Sequence, residues 1–212
     1  MEELFDQNGI GGILHRPDVS RGEAIALTHG AGSNHTAPLL VKMSQALADA
    51  GYLTLRYDLP FRRQRPKGSP FPAGAARDRE GVVAAVAALR GMVTGRVFAG
   101  GHSYGGRQTA MAAAENPGMA DGLLLFSYPL HPPNQPGKMR TAFFPDLRTP
   151  ALFVHGTSDP FATPEELREA LALIPARTEL MLVEGGGHDL KRAPGLSAEI
   201  LERFHALVGF TT

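Results

Sequence analysis

The sequence predicts a doubly wound α/β fold, a mostly parallel sheet with helices on both faces and no cap domain. Three observations carry that expectation. Short apolar, β-rich runs alternate with longer segments of helical periodicity, the pattern of strands joined by crossover helices. The 212 residues, 43% of them hydrophobic, suffice for one full core. No internal repeat or linker-like change of composition interrupts the alternation, so residues 1–212 are read as a single domain.

The elements follow in order. Ala24–Thr28 is an apolar run bounded by a glycine turn and predicts the first clear strand. Residues 38–50 place Leu39, Leu40, Met43 and Leu47 at helical spacing, with a proline near the start and Gly51 just past the end. Residues 52–57 read as a strand, and a polar, proline-rich loop follows over 59–75. A helix is expected over 76–90, then a strand over 96–99 that ends in glycines, then a helix over 104–115. Buried strands are expected over 122–126 and 151–154. Thr163-Pro164-Glu165-Glu166 carries a capping-box pattern that opens a helix. The last strand is expected over 179–183. Leu196, Ile200, Leu201, Phe204 and Val208 mark one face of a final helix.

Composition narrows the function. Acidic and basic residues balance at 21 each, so no global field favours nucleic acid or an anionic membrane. The absence of cysteine excludes disulfides, thiolate metal sites and a cysteine nucleophile. The acidic start Met1-Glu2-Glu3-Leu4 is unlike a secretory signal, and no apolar run approaches a membrane span, so a cytoplasmic protein is expected. The oligomeric state is left open.

In a sheet of this kind the working residues sit in loops at the carboxyl ends of the strands. Gly101-His102-Ser103-Tyr104-Gly105 fits G-x-S-x-G between an expected strand and an expected helix. Such a turn is sharp enough to strain the serine backbone, and glycines two residues to either side remove clashes. Ser103 is therefore the candidate nucleophile. Seven histidines besides His102 compete as its base. His188 follows Gly185-Gly186-Gly187 after the last strand, at the carboxyl edge. His155 is expected in a tight His155-Gly156 turn with a structural hydrogen bond; His15, His35, His131 and His205 are read as surface or loop residues. Asp159, one loop before His188, is the candidate acid that holds the imidazole in one tautomer. Asp189 is a poor alternative, being adjacent to His188 in sequence. The order serine, acid, histidine along the chain is kept. Acyl transfer also needs two donors for the oxyanion. The backbone N–H of Tyr104 is one candidate; the other is Ala31, in the His29-Gly30-Ala31-Gly32 loop.

These residues resemble the α/β-hydrolase superfamily over essentially the whole chain. The chain is similar to small uncapped hydrolases of the dienelactone-hydrolase-like type, on His29 to Gly32, Gly101 to Arg107, His155 to Phe161 and Gly185 to Leu190. The resemblance implies a serine hydrolase of carboxylic esters or thioesters of small substrates, working through an acyl-enzyme on Ser103 without metal or organic cofactor. One branch of that subgroup serves as a scaffold, so a silent binding module is an alternative, as is acyl transfer by the same residues. Dienelactone hydrolases use cysteine and this chain has none, so lactone specificity is not carried over. Candidate substrate contacts are the basic loop with Arg62, Arg63, Arg65 and Lys67, Arg107 after the motif, and Met139, Phe143 and Phe144 in the short, proline-rich 127–145 loop where larger relatives insert a lid.

Overall fold

The computed structural model describes residues 1–191 and 195–209. Among the described residues eight strands form one sheet: β1 (Glu2–Gln7), β2 (Ile10–His15), β3 (Ala24–Thr28), β4 (Leu53–Asp58), β5 (Val97–His102), β6 (Leu123–Phe126), β7 (Ala151–Gly156) and β8 (Thr178–Val183). Their order is β1-β2-β4-β3-β5-β6-β7-β8. β2 pairs antiparallel with both β1 and β4, and every pairing from β4 through β8 is parallel. The helices that connect or follow them are α1 (Pro38–Asp49), α2 (Pro60–Gln64), α3 (Ala75–Arg90), α4 (Tyr104–Glu115), α5 (Pro164–Leu171) and α6 (Leu196–Val208).

The two-fold alternation of strand side chains divides the core between the sheet's faces. Ile25, Leu27, Phe98, Leu124, Phe126, Leu152 and Val154 pack with α1 and α6 through Leu40, Met43, Leu47, Ile200 and Phe204. Their neighbours Ala24, Ala26, Val97, Ala99, Leu123, Leu125 and Phe153 pack with α3, α4 and α5 through Val82, Val86, Leu89, Ala110, Ala113 and Leu167. Thr163 accepts a hydrogen bond from the Glu166 N–H while the Glu166 carboxylate accepts one from the Thr163 N–H, so the expected capping box starts α5. The β6–β7 connection holds only a 3-10 turn, Phe144–Asp146, and no inserted domain. Among the described residues no helix is long and apolar enough to cross a membrane.

Two elements depart from the sequence expectation. The β1–β2 hairpin was not anticipated; Asn8 and Gly9 turn it with φ of 52° and 77°, the left-handed pair that a two-residue hairpin needs. The 59–75 segment, expected as loop, contains α2 and a 3-10 turn at Pro72–Gly74. β5 and β7 also run further than expected, so His155 lies inside β7 and not in a turn.

β3 sits between β4 and β5, and the chain leaves it in one direction before returning on its other side. This is a topological switch point, where the loops at the strand ends diverge and open a crevice. β3 pairs Thr28 with Gly101 of β5, so the loop after β3 and the turn after β5 emerge side by side.

Several histidines are buried in this frame. His15 lies inside β2, accepting from Arg56 Nε at 2.8 Å, which corrects the expectation of a surface or loop residue; His131 is in a loop, as expected, but buried there with Nε2 3.2 Å from Glu166. Burial, as the leading cause, lowers the pKa of His15, His29, His102, His155 and His205, that of His29 to about 4. The unfolded chain therefore binds protons that the fold refuses between about pH 6.5 and 4. Stability is fully expressed above that window and falls as the pH drops through it. Urea titrations at pH 7 and 5 should show the midpoint falling with acid; an unchanged midpoint contradicts the burial of these imidazoles.

Candidate active site

β5 ends at His102 and α4 starts at Tyr104, so Ser103 alone makes the turn, with φ 53° and ψ −118°. A non-glycine residue held there stores strain on the order of 1–3 kcal/mol. Its surroundings impose the conformation. The Ser103 N–H donates to the Phe126 carbonyl at 2.8 Å. A Cβ on Gly101 would lie 2.8 Å from the Thr28 carbonyl oxygen, and one on Gly105 would collide with the His29 carbonyl. Gly106 is equally constrained, with the Gly101 carbonyl 2.6 Å from where its Cβ would be.

The structure brings Ser103, His188 and Asp159 together. Ser103 Oγ donates to His188 Nε2 at 2.8 Å, and His188 Nδ1 donates to Asp159 Oδ2 at 2.8 Å. The Asp159 side chain is shut off from solvent, while that of His188 is partly open. Asp159 Oδ1 accepts the Phe161 N–H at 3.0 Å, which fixes the carboxylate plane. The Phe161 ring lies 4.3 Å from that of His188 and limits its rotation. Behind them, buried His155 donates from Nε2 to the Ala162 carbonyl, the structural role expected of it. His102 donates from Nε2 to the His188 carbonyl at 2.7 Å, tying the base's own backbone to the elbow. Asp189 is turned away, paired with Lys191.

The loop after β3 closes over the other side of Ser103. A Cβ on Gly30 would meet His102 Nδ1 at 3.0 Å and Ser103 Cβ at 3.4 Å. His29 is fully buried, and its Nδ1–H donates to the Gly30 carbonyl at 2.8 Å while Nε2 accepts the Leu59 N–H at 3.2 Å. That arrangement requires a neutral ring, which the lowered pKa provides. Tyr104 is the first residue of α4, where N–H groups have no partner within the helix, and it sends its hydroxyl to Asp78 Oδ2 at 2.7 Å. Asp78 is fully buried, burial raises its pKa, and its Oδ1 accepts the Phe61 N–H at 3.0 Å. Asp78 thus fastens α2 and α4 together beneath the site.

The candidate substrate contacts are distributed differently from the triad. Arg62 is 5% exposed and gives its guanidinium to backbone carbonyls, so it is withdrawn from any substrate. Arg63 points outward and pairs with Asp6. Met139 is 44% exposed in its loop, and Phe143 packs edge-on against buried Phe144. Arg107 is half-buried one turn into α4; its Nε lacks a hydrogen-bond partner among the described residues, and its charge acts on Tyr128 and Arg140.

Chemically, the array can relay a proton. His188 takes it from Ser103 as Oγ attacks a carbonyl, then returns it to the leaving group; Asp159 keeps Nδ1 protonated and balances the imidazolium. An acyl-enzyme forms and water clears it. This is the geometry of a serine hydrolase.

Comparisons with known proteins agree with that geometry. A family model described as an alpha/beta hydrolase domain matches residues 21–204. Among solved structures, dienelactone hydrolase from Anabaena variabilis superposes with a TM-score of 0.74 at 20% identity, covering 98% of this chain and 96% of that one. Est1E from Butyrivibrio proteoclasticus gives 0.77 at 16% identity, covering 99% of each chain. XC6422 from Xanthomonas campestris, an α/β serine hydrolase without a lid, gives 0.74 at 15%, covering 100% and 96%. At these identities the structures speak for the fold. With the family match, that fold and the assembled triad, the chain belongs to the alpha/beta hydrolase domain family.

Proposed function

We propose that this protein hydrolyses carboxylic esters or thioesters of small substrates, with Ser103 as nucleophile, His188 as general base and acid, and Asp159 as the orienting acid. The observation that carries this reading is the unbroken hydrogen-bond chain Ser103–His188–Asp159, each link 2.8 Å, on a strained elbow. The N–H groups of Tyr104 and Ala31 form the oxyanion hole. The dienelactone-hydrolase-like resemblance extends to the lidless architecture, and neither to a cysteine nucleophile nor to a lactone substrate.

A cavity of about 410 Å³ lies between α1, the chain after His188 and the start of α6; no triad residue lines it, and His102 and Asp189, the chain neighbours of Ser103 and His188, reach it. Leu39, Met43, Leu190 and Leu196 give it apolar walls, while His102 and Ser33 connect it to the elbow and the oxyanion loop. Volume and lining suit one apolar arm of a small ester. Met139 and Phe143 do not line it.

Two experiments test the reading. A fluorophosphonate should add once to the purified protein, on Ser103, and intact-mass and peptide mapping should show no adduct in Ser103→Ala. Asp159→Asn, which offers His188 the wrong tautomer, should lower kcat on 4-nitrophenyl acetate by roughly 10³–10⁴. A folded protein that takes no adduct refutes the assignment and brings the scaffold alternative forward. For the cavity, Leu39→Trp should cut the preference for 4-nitrophenyl hexanoate over acetate by at least about tenfold. An unchanged ratio means that the apolar arm lies elsewhere.

A further inference from the structure

We propose that Arg62 is a positioning residue for the oxyanion hole: its guanidinium clamps the loop after β3 in the conformation that presents the Ala31 N–H to the reacting oxygen. The inference rests on the reading of Ala31 as an oxyanion donor and assigns that donor its support.

Arg62 lies on α2, whose position is fixed from below by the bond from the Phe61 N–H to buried Asp78. Four of its donor hydrogens are engaged: Nε on the Ser33 carbonyl at 2.8 Å, Nη2 on the Ala31 carbonyl at 2.8 Å and on the Gly68 carbonyl at 3.0 Å, and Nη1 on the Arg65 carbonyl at 3.2 Å. Its guanidinium also sits 4.9 Å from the Phe61 ring centroid. Among the described residues no carboxylate pairs with it, so the charge is held by backbone dipoles and the Phe61 ring. A planar fork with five donors can span these four carbonyls; an ammonium, a single point with three donors, cannot.

The loop's geometry makes the clamp consequential. A peptide is planar and trans, so the Ala31 N–H points opposite to the Gly30 carbonyl in the same unit. That carbonyl accepts from His29 Nδ1 at 2.8 Å and from the Ser33 N–H at 3.1 Å. The next peptide is fixed by Arg62 on the Ala31 carbonyl, and the far end of the turn by Arg62 on the Ser33 carbonyl. His29 and Arg62 therefore hold consecutive peptides from opposite ends, and the donor between them has one orientation. Removing the fork frees Ala31 to Ser33 to rotate while the Ser103–His188–Asp159 chain, which Arg62 does not touch, stays intact. A misplacement of about 1 Å at such a donor costs up to about a hundredfold in rate. The buried positive charge beside the loop also favours the developing oxyanion, and that part survives replacement by lysine.

The test compares wild type with Arg62→Lys and Arg62→Met by three readouts: the second-order rate of Ser103 labelling by a fluorophosphonate, kcat and KM on neutral 4-nitrophenyl acetate, and hydrogen–deuterium exchange of the 28–34 segment. The clamp predicts a kcat about tenfold lower in Arg62→Lys and up to about a hundredfold lower in Arg62→Met, with KM within about twofold and faster exchange in 28–34. Wild-type kcat in both variants, or a loss confined to KM, overturns it. Should Arg62→Met not fold, Arg62→Lys decides alone. If wild-type protein is not labelled at all, the hydrolase reading has failed; exchange then decides the clamp, faster exchange in the variants supporting it and unchanged exchange overturning it.

Discussion

The site depends on one close approach. The turn after β5 is packed so tightly against the end of β3 that no Cβ fits on Gly105, where the His29 carbonyl stands, or on Gly101, where the Thr28 carbonyl stands. Those two glycines let Ser103 occupy a left-handed conformation and bring its side chain next to the His29–Gly32 loop in the same stroke. The nucleophile and the candidate oxyanion donors are thereby one construction. The strain at Ser103 is held in place by the β3–β5 register and by the bond from its N–H to Phe126.

Around that contact, buried polar groups divide the work. On one side, Asp159 and Phe161 orient His188, and His102 ties its backbone to the elbow. On the other, neutral His29 and charged Arg62 fix successive peptides of the loop, while Asp78 joins α2 to Tyr104. Each of these groups is satisfied by backbone partners or by one specific side chain, which makes their burial tolerable and their geometry unique. Ser103 and His188 are partly open to solvent, whereas Asp159, His29, Arg62 and Asp78 are closed off.

Much of this was legible in the sequence, for definite reasons. Strongly periodic segments gave α1, α4 and α6 to within a residue or so, because a helix that buries one face must repeat its apolar residues. Ser103, Asp159 and His188 were legible because strand-end position and chain order constrain them. The β1–β2 hairpin was missed: β1 is a polar edge strand, and Gly11-Gly12 dilutes the pattern of β2. The Asn8-Gly9 pair was the signal that could have found it. Asp78 sits in a charged stretch that reads as a solvated helix face, and its partners Phe61 and Tyr104 are 17 and 26 residues away. Arg62 was grouped with its basic neighbours because charge alone carries no sign of burial; four carbonyl acceptors brought together by tertiary structure distinguish it. His15 was misread for the same reason, its partner Arg56 being distant in the chain, and the burial of His131 in its loop has the same cause, its partner Glu166 being distant too.

The most direct measurement is a crystal structure of the protein inhibited by a fluorophosphonate, whose phosphonyl oxygen stands where the oxyanion would. The account predicts that oxygen about 2.7–3.1 Å from the backbone nitrogens of both Tyr104 and Ala31, covalently fixed to Ser103, with the Arg62 fork still on the Ala31 and Ser33 carbonyls. A phosphonyl oxygen turned into solvent, or bound by a different pair of donors, would contradict the account at its centre.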